Sequence, residues 1–334
     1  MGSRGRNLPS VGSSNPRGDA VADFAERGSN ANAVVAGPIV AGPGAGANPS
    51  IAVAIPCYNE AGAVAAVVEA WRLALPEAEI VVFDNNSGDG TGAIARRIGV
   101  RVVEVRDQGK GYAVRAIFED LADRDVVILV DGDGTYPAEA ARALIDPILR
   151  GVADMTVGAR QPIEAPGAMT PVRGLGNFLI TAAFRVLIGP GTHDLLSGYR
   201  GFSRRFLEAV RPCSVGFEIE AEIAGQAVAR GLPTTEILVE YRPRIAGPAS
   251  KLPAFRDGRR ILFAILRQSF RFQPWRPLLL LAGSLGTTGA ILSLTAINLG
   301  EPDLIPWVGP LLTATLVLTL LAGATAVVWK TPRR

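Results

Sequence analysis

Histidine is almost absent from this chain, with His193 the only one. Chemistry that needs an imidazole base or a set of histidine metal ligands is therefore confined to one position. Cysteine is nearly as scarce. Cys57 and Cys213 form no spaced pair, so nothing suggests a disulfide scaffold, and a reducing, cytosolic face for the folded part is the economical reading. Net charge is only +3, which argues against a general nucleic-acid binder. Near the N-terminus the apolar stretch Ala33–Val40 is broken by Gly37 and Pro38, and no signal peptide is expected. A usable dinucleotide fingerprint is missing as well. GDGTGA (Gly88–Ala93) matches G-x-G-x-x-G/A formally, but Asp84-Asn85-Asn86-Ser87 separates it from the preceding apolar run, which weighs against a nicotinamide or flavin enzyme.

Apolar sequence is what the chain has in excess, at 48% hydrophobic residues with a mean hydropathy of +0.26. Much of it lies at the C-terminal end. Leu278–Leu299 and Val308–Trp329 are uncharged, and each has the roughly 20 apolar residues that cross a bilayer. Arg267, Arg271 and Arg276 flank the first, and Lys330, Arg333 and Arg334 follow the second. The positive-inside rule then places both ends and the catalytic part in the cytoplasm of a multi-pass protein of the cell (inner) membrane. Trp275, Trp307 and Trp329 fall near the span ends, where indoles prefer to sit. Before the spans, RDGRRILFAILRQSFRF is basic and amphipathic, suited to an anionic leaflet.

The 334 residues allow one large or two modest domains. Residues 1–49 are rich in Gly, Ala, Ser, Asn and Pro without periodicity, the composition of a disordered tail. From Ile51, strand patterns alternate with helix patterns: IAVAIP, then Ala61–Leu75 at helical spacing, IVVFD (Ile80–Asp84), a turn and helix, VRVVEV, GKGYAVRAIFEDLA, and VVILVDGDG. A helix over 138–150 and a strand over 153–160 continue the series. This order predicts an α/β architecture on a doubly wound, parallel sheet. The expected divisions are a catalytic domain over 50–250, a juxtamembrane amphipathic segment over 251–277, two transmembrane helices over 278–329 and a cytoplasmic tail over 330–334. Arg173–Ile188 reads either as an interfacial helix or as an ordinary amphipathic core helix.

The chemistry centres on Val126–Pro137, VVILVDGDGTYP. A short β-branched run ends in Asp131-Gly132-Asp133-Gly134, and ligands gather outside the carboxyl ends of such strands. Two carboxylates this close repel each other, and a hard divalent cation would relieve the repulsion while recruiting phosphate oxygens. A plain Asp-Gly turn is the alternative. Lys110, Arg160, Arg200, Arg244 and Lys251 stand in glycine-containing loops or next to them (GKG, GAR, SGYRG, AGPASK), where they could face phosphate or simply be solvated charges. Group transfer onto an alcohol needs a general base. A phosphate monoester does not, because its second pKa near 6 leaves it mostly dianionic. One histidine among many arginines fits the second case, with His193 shaping its loop and Asp194 orienting an acceptor or a neighbouring arginine.

PCYNE, VVFDNNSGDGT, GKG, VDGDGTYP, GAR, DLLSGYRGF, FEIEAE and RPRIAGPASKL together resemble family 2 glycosyltransferases, and in their order the polyprenyl-phosphate, dolichyl-phosphate mannose synthase-like group. The resemblance covers about residues 50–270. It implies a glycosyltransferase-A (Rossmann-like, mostly parallel sheet) domain, a nucleotide-sugar donor, inversion at the anomeric carbon, Mg2+ or Mn2+, a polyprenyl phosphate acceptor and a homo-oligomer, with a tetramer one form. By resemblance Pro56, Tyr58 and Glu60 line the base and ribose pocket, and Asp84 hydrogen-bonds the base. Asp131 and Asp133 are the D-x-D metal ligands, with Asp133 the principal one. Lys110, Arg160, Arg244, Ser250 and Lys251 attend the donor phosphates, the last three from a mobile loop. Asp194, Ser197, Arg200 and Arg173 serve the acceptor side, and Asp133, Asp194 and Arg200 make up the catalytic set. Thr135 departs from the glutamine that close mannose synthases carry two residues after D-x-D, which leaves a third metal ligand open and favours a UDP-hexose or UDP-N-acetylhexosamine over GDP-mannose. A processive polysaccharide synthase would carry Q-x-x-R-W, which this sequence lacks. A non-catalytic, sugar-nucleotide-binding membrane scaffold is the remaining alternative.

Overall fold

The computed structural model describes residues 48–162, 171–246, 254–300 and 302–330. The expected disordered tail, the Pro-rich stretch after 162, Ser250, Lys251 and the last four residues lie outside the described residues. Arg173 is described by its backbone alone.

β1 (Ile51–Cys57) is apolar along nearly its whole length because both of its faces are covered. It pairs in parallel with β2 (Glu79–Asp84), Ile55 opposite Val82, and with β4 (Val126–Leu129), Ala54 opposite Leu129. β3 (Arg101–Glu104) extends the sheet beyond β2. Successive side chains alternate between two cores. Val53, Ile55 and Ile128 meet Trp71 of α1 (Val64–Ala74) and Leu144 and Ile148 of α4 (Ala141–Leu149). Ala52, Ala54 and Leu129 meet Ile117 and Phe118 of α3 (Lys110–Asp120) on the other face. α2 (Thr91–Arg97) follows β2 and packs beside α1.

The seven-stranded sheet runs β3-β2-β1-β4-β6-β5-β7, and it is mostly parallel, as the resemblance implied, with a single reversed strand. β6 (Arg200–Ser203) lies antiparallel to β4 and to β5 (Met155–Pro162), while β7 (Thr234–Tyr241) is parallel to β5. Four residues after the turn-rich THDLLSG carry too little pattern to reveal a strand. The reversal matters to the site. With Arg200 opposite Leu129, residues 194–199 are delivered to the same tip as Asp131. The helix expected over 61–75 begins at Val64, after a turn in which the Glu60 carbonyl accepts the N–H groups of Ala63 and Val64. The helix expected over 138–150 opens as a 3-10 turn, Ala138–Ala140, behind Pro137.

α6 (Arg204–Ala209) and α7 (Ile219–Arg230) complete the second core. Glu220 and Glu222 in the first turn of α7 suit its positive end, and Gly231 closes the helix in the left-handed conformation. A third cluster joins Phe184 of α5 (Pro171–Leu187), Ala221 and Ala224 of α7, and Ile261 and Ile265 of α8 (Ala254–Phe272). The segment expected to be juxtamembrane is thus packed onto the sheet domain. α5 and α8 also expose apolar side chains, among them Phe178, Leu179, Phe263 and Phe270, an unusual amount for a surface facing only water. α9 (Trp275–Leu299) and α10 (Ile305–Lys330) pack on each other. Both are long and apolar enough to cross a membrane, and only 11% and 6% of their apolar windows are buried within the protein. With 25 residues, α9 reaches about 37 Å, more than a hydrocarbon core of about 30 Å.

Candidate active site

The loops after β1 and β2 are stapled together. Asn59 N–H donates to Ser87 Oγ (3.0 Å), Gly88 N–H to Asn59 Oδ1 (2.9 Å), Glu60 N–H to Thr91 Oγ1 (2.8 Å) and Ala61 N–H to Asp89 Oδ2 (3.0 Å). Asn59 and Asn86 hold positive φ of 51° and 59°, a conformation asparagine tolerates better than most residues. Asp84 stands at the end of β2, its Oδ1 3.3 Å from Ser87 N. Pro56 lies within β1, and Tyr58 is exposed just beyond it. Asn85 ties this pair of loops to the next by accepting the Gly109 N–H (2.7 Å) and donating to the Asp107 carbonyl (2.6 Å). Lys110 opens α3 directly after that anchor.

At the tip of β4 the two aspartates take different partners. Asp131 Oδ1 is 2.7 Å from Lys110 Nζ, which is also 2.6 Å from Glu220 Oε1. Burial alone would lower the Lys110 pKa, but the two carboxylates overcome it and hold the amine above its ordinary value, so it is an ammonium. Asp133 Oδ1 accepts the Thr135 N–H (3.0 Å) and hydroxyl (2.7 Å), while Oδ2 lies 3.1 Å from Arg244. Arg244 spans from there to Glu60 at 2.6 Å. Its segment lies across the acid loop: Arg242 N–H donates to the Thr135 carbonyl (2.8 Å) and Ile245 N–H to that of Asp133 (3.1 Å). Ile245 packs so closely on Gly134, at φ 76°, that neither the contact nor the backbone admits a side chain there.

A second charged pair lies beside the first group. Arg160 grips Asp194 with Nε and Nη2 at 2.7 Å each, and its backbone N–H adds a third bond at 3.0 Å. Burial pushes the Asp194 carboxyl up, but the Arg160 hydrogen bonds and charge outweigh it and hold the group below its usual range. Asn177 of α5 reaches the same carboxylate at 3.4 Å. Glu236 of β7 fixes the approach to Asp194, accepting the backbone N–H groups of His193 (2.5 Å) and Asp194 (3.1 Å) and pairing with His193 Nδ1 at 2.5 Å. Between the two groups stands Tyr136, whose oxygen accepts the Gly198 N–H (3.0 Å). Burial pushes its hydroxyl well above the phenol range, with Arg160 opposing and Asp131 and Asp194 adding to the shift.

The structure therefore gathers Glu60, Lys110, Asp131, Asp133 and Arg244 into one linked group and sets Arg160 with Asp194 beside it. Two expected acceptor residues do not reach an open face. Arg200 is 0% exposed and donates to the carbonyls of Ser197 (3.0 Å) and Leu195 (2.6 Å). Ser197 is equally buried, its hydroxyl donating to the Gly158 carbonyl (2.6 Å). Both shape the 194–199 loop, because buried carbonyls at a tight reversal need donors. Three contributors carry weaker sequence signals. Thr135, visible only as a departure, braces Asp133; Tyr136 and Glu220 stand inside the quoted motifs VDGDGTYP and FEIEAE without a role assigned to them.

Gly198 lies directly against Asp131, and a Cβ there would collide with the carboxylate. Gly198→Ala is expected to keep the fold and to lower any activity of this site by about 10- to 100-fold, since a displacement near 1 Å costs about that much. An unchanged rate with unchanged thermal stability would show that the position of Asp131 is immaterial.

The acid pair fits a divalent cation. Among the described residues no third histidine, cysteine or carboxylate joins it as a cluster, yet Mg2+ commonly uses one or two carboxylates and draws its other ligands from phosphate and water. Each aspartate already seats a cationic side chain here, so both positions are charge-complementary to a metal.

A doubly wound sheet with an acid pair at the tip of β4, covered by arginine- and lysine-bearing loops, defines a glycosyltransferase-A-like fold. The chain belongs to glycosyl transferase family 2, whose family profile matches residues 52–211. It is 37% identical over 222 residues to glycosyltransferase AglJ of Haloferax volcanii, covering 66% of this chain and 72% of that protein. It is 34% identical over 219 residues to the dolichyl-phosphate hexose transferase of the same organism, covering 65% and 92%. In fold it is similar to the glucosyl-3-phosphoglycerate synthase of Mycobacterium tuberculosis crystallised with Mn2+, UDP-glucose and phosphoglyceric acid. That likeness has a TM-score of 0.53 at 21% identity and covers 66% of this chain and 80% of that one.

Proposed function

We propose that the protein transfers a sugar from a nucleotide-sugar, favouring a UDP-hexose or UDP-N-acetylhexosamine, to polyprenyl phosphate at the cytoplasmic face of a membrane, with inversion. The observation that carries this is the acid pair at the β4 tip, bound to Lys110 and Arg244, on a body that also bears lipid-suited helices. The 34% identity to a dolichyl-phosphate hexose transferase supports the lipid acceptor.

Mg2+ or Mn2+ held by Asp131 and Asp133 would supply charge neutralisation of the departing diphosphate. The chain's own residues do the positioning. Pro56, Tyr58, Glu60 and Asp84 border the nucleoside side, and Lys110 and Arg244 are placed to pass from aspartate to phosphate oxygens. Arg160, expected on the donor side, would instead serve the acceptor phosphate, with Asn177 close by on the helix that exposes Phe178 and Leu179. Asp194 holds that guanidinium in its plane. A phosphate oxygen of the lipid attacks the anomeric carbon, and the bond to the diphosphate oxygen breaks with its electron pair leaving on the nucleotide. No protein base is needed, since the attacking group is already ionised near neutral pH. Catalysis then rests on orientation and charge.

The test is incubation of membranes carrying the protein with polyprenyl phosphate and labelled UDP-sugars, with GDP-mannose as the comparison donor. A labelled, chloroform-soluble product from a UDP-sugar is expected. Label from GDP-mannose alone would reassign the donor, long polymer would mean a processive synthase, and no labelled lipid from any donor would remove the proposal.

A further inference from the structure

Glu220 is 4% exposed, and the functional reading leaves it without a task. It lies in the first turn of α7, with Oε1 2.6 Å from Lys110 Nζ. Its other oxygen, Oε2, is buried and accepts no hydrogen bond among the described residues. A buried carboxylate oxygen without a donor is costly. The donor bonded to this carboxylate is the ammonium at Oε1, which spends another of its three N–H bonds on Asp131; the buried Arg200 acts on Glu220 through charge. The base of Lys110 cannot wander, because Gly109 N–H is held by Asn85 and Gly111 N–H by the Val215 carbonyl at 3.0 Å. Only the end of the side chain is free to choose between the two acids.

We propose that Lys110 is an internal counter-ion that occupies the metal's side of Asp131, and that Glu220 is the seat to which it retreats when the cation arrives with the nucleotide diphosphate. The proposal rests on the functional reading above and adds a rule to it: the divalent cation and the diphosphate bind together. Without the diphosphate, a cation at Asp131 must displace the ammonium against the Asp131–Lys110 attraction. With it, the phosphates attract the same ammonium from the other side, and both Glu220 oxygens are available to receive what the phosphates do not. Glu220 is a positioning residue, acting on Asp131 only through Lys110.

Mn2+ binding to the full chain in detergent, followed by the loss of the free-ion electron paramagnetic resonance signal with and without UDP, tests this apart from any transfer assay. In the unaltered protein UDP is expected to tighten Mn2+ binding by at least about tenfold. Lys110→Met should tighten UDP-free Mn2+ binding by about tenfold, while Lys110→Arg, which keeps the charge, should stay within about threefold of the unaltered protein. Glu220→Gln should weaken UDP-free Mn2+ binding at least about threefold more in the presence of Lys110 than in the Lys110→Met background. An equal effect in both backgrounds would mean that the two residues act independently, and the retreat would be wrong. So would Lys110→Met binding Mn2+ within about twofold of the unaltered protein, or Lys110→Arg tightening it as much as Lys110→Met does. If the unaltered protein binds no Mn2+ even with UDP, the metal-dependent reading fails first and takes this inference with it. Normal Mn2+ binding without any sugar transfer would remove only the functional reading.

Discussion

Asp133→Asn is expected to lower sugar transfer by on the order of a thousandfold, about 4 kcal/mol of transition-state stabilisation. The substitution keeps the size of the side chain and its Thr135 braces at 2.7 and 3.0 Å, but removes the charge that faces Arg244 at 3.1 Å. Arg244 stays bonded to Glu60 at 2.6 Å, so the 242–246 segment keeps its place and the loss falls on chemistry rather than folding. Initial rates with whichever donor labels the lipid, together with a thermal melt, are the measurement. Retention of more than a tenth of the rate would end the assignment of this carboxylate to the metal. Donor affinity supplies a second reading, since losing a cation-bearing carboxylate should weaken UDP binding in Mn2+ but change little in EDTA.

Asp194→Ala is expected to cost about 3–5 kcal/mol of stability, the range for removing one partner of a buried ion pair. Arg160 would be left with its guanidinium enclosed and three hydrogen bonds unmade. The pH dependence identifies the cause. The folded Asp194 pKa lies below its usual value, so its contribution is fully present above the unfolded pKa of about 3.9. It is lost only as pH falls through the depressed folded value. The gap in melting temperature between the unaltered protein and Asp194→Ala should therefore hold from pH 7 to pH 5 and close only in stronger acid. A gap that shrinks between pH 7 and pH 5.5 would show that the Asp194 carboxylate is not the cause.

What the sequence revealed follows from where its signals are local. The β-branched run before Asp131 and the matching runs at Ile51 and Ile80 announce buried strands through composition alone, and the loops at their tips come with them. β6 was hidden, because four residues pair antiparallel by virtue of tertiary position, which no short window records. The roles of Arg200 and Ser197 were assigned by motif, and a motif fixes residue type but not which wall of a loop the side chain faces. In the structure both turn inward to satisfy carbonyls. Glu220 illustrates the converse. Its spacing marks a helix N-terminus, while its meaning depends on a lysine 110 positions earlier in the chain, brought to 2.6 Å by the fold.

Ile261 and Ile265 of α8 share one apolar cluster with Ala221 and Ala224, the neighbours of Glu220 on α7. A fragment cut at residue 253 would uncover that cluster, whereas one cut near 273 would keep it, so the smallest intact catalytic unit still wears its greasy collar. On the proposed function α8, packed on α5 and α7, would keep the catalytic tip beside the leaflet rather than let the domain swing away to collect cargo. The enzyme would then skate along the leaflet, meeting its lipid by two-dimensional search, and only the sugar nucleotide would arrive from the third dimension.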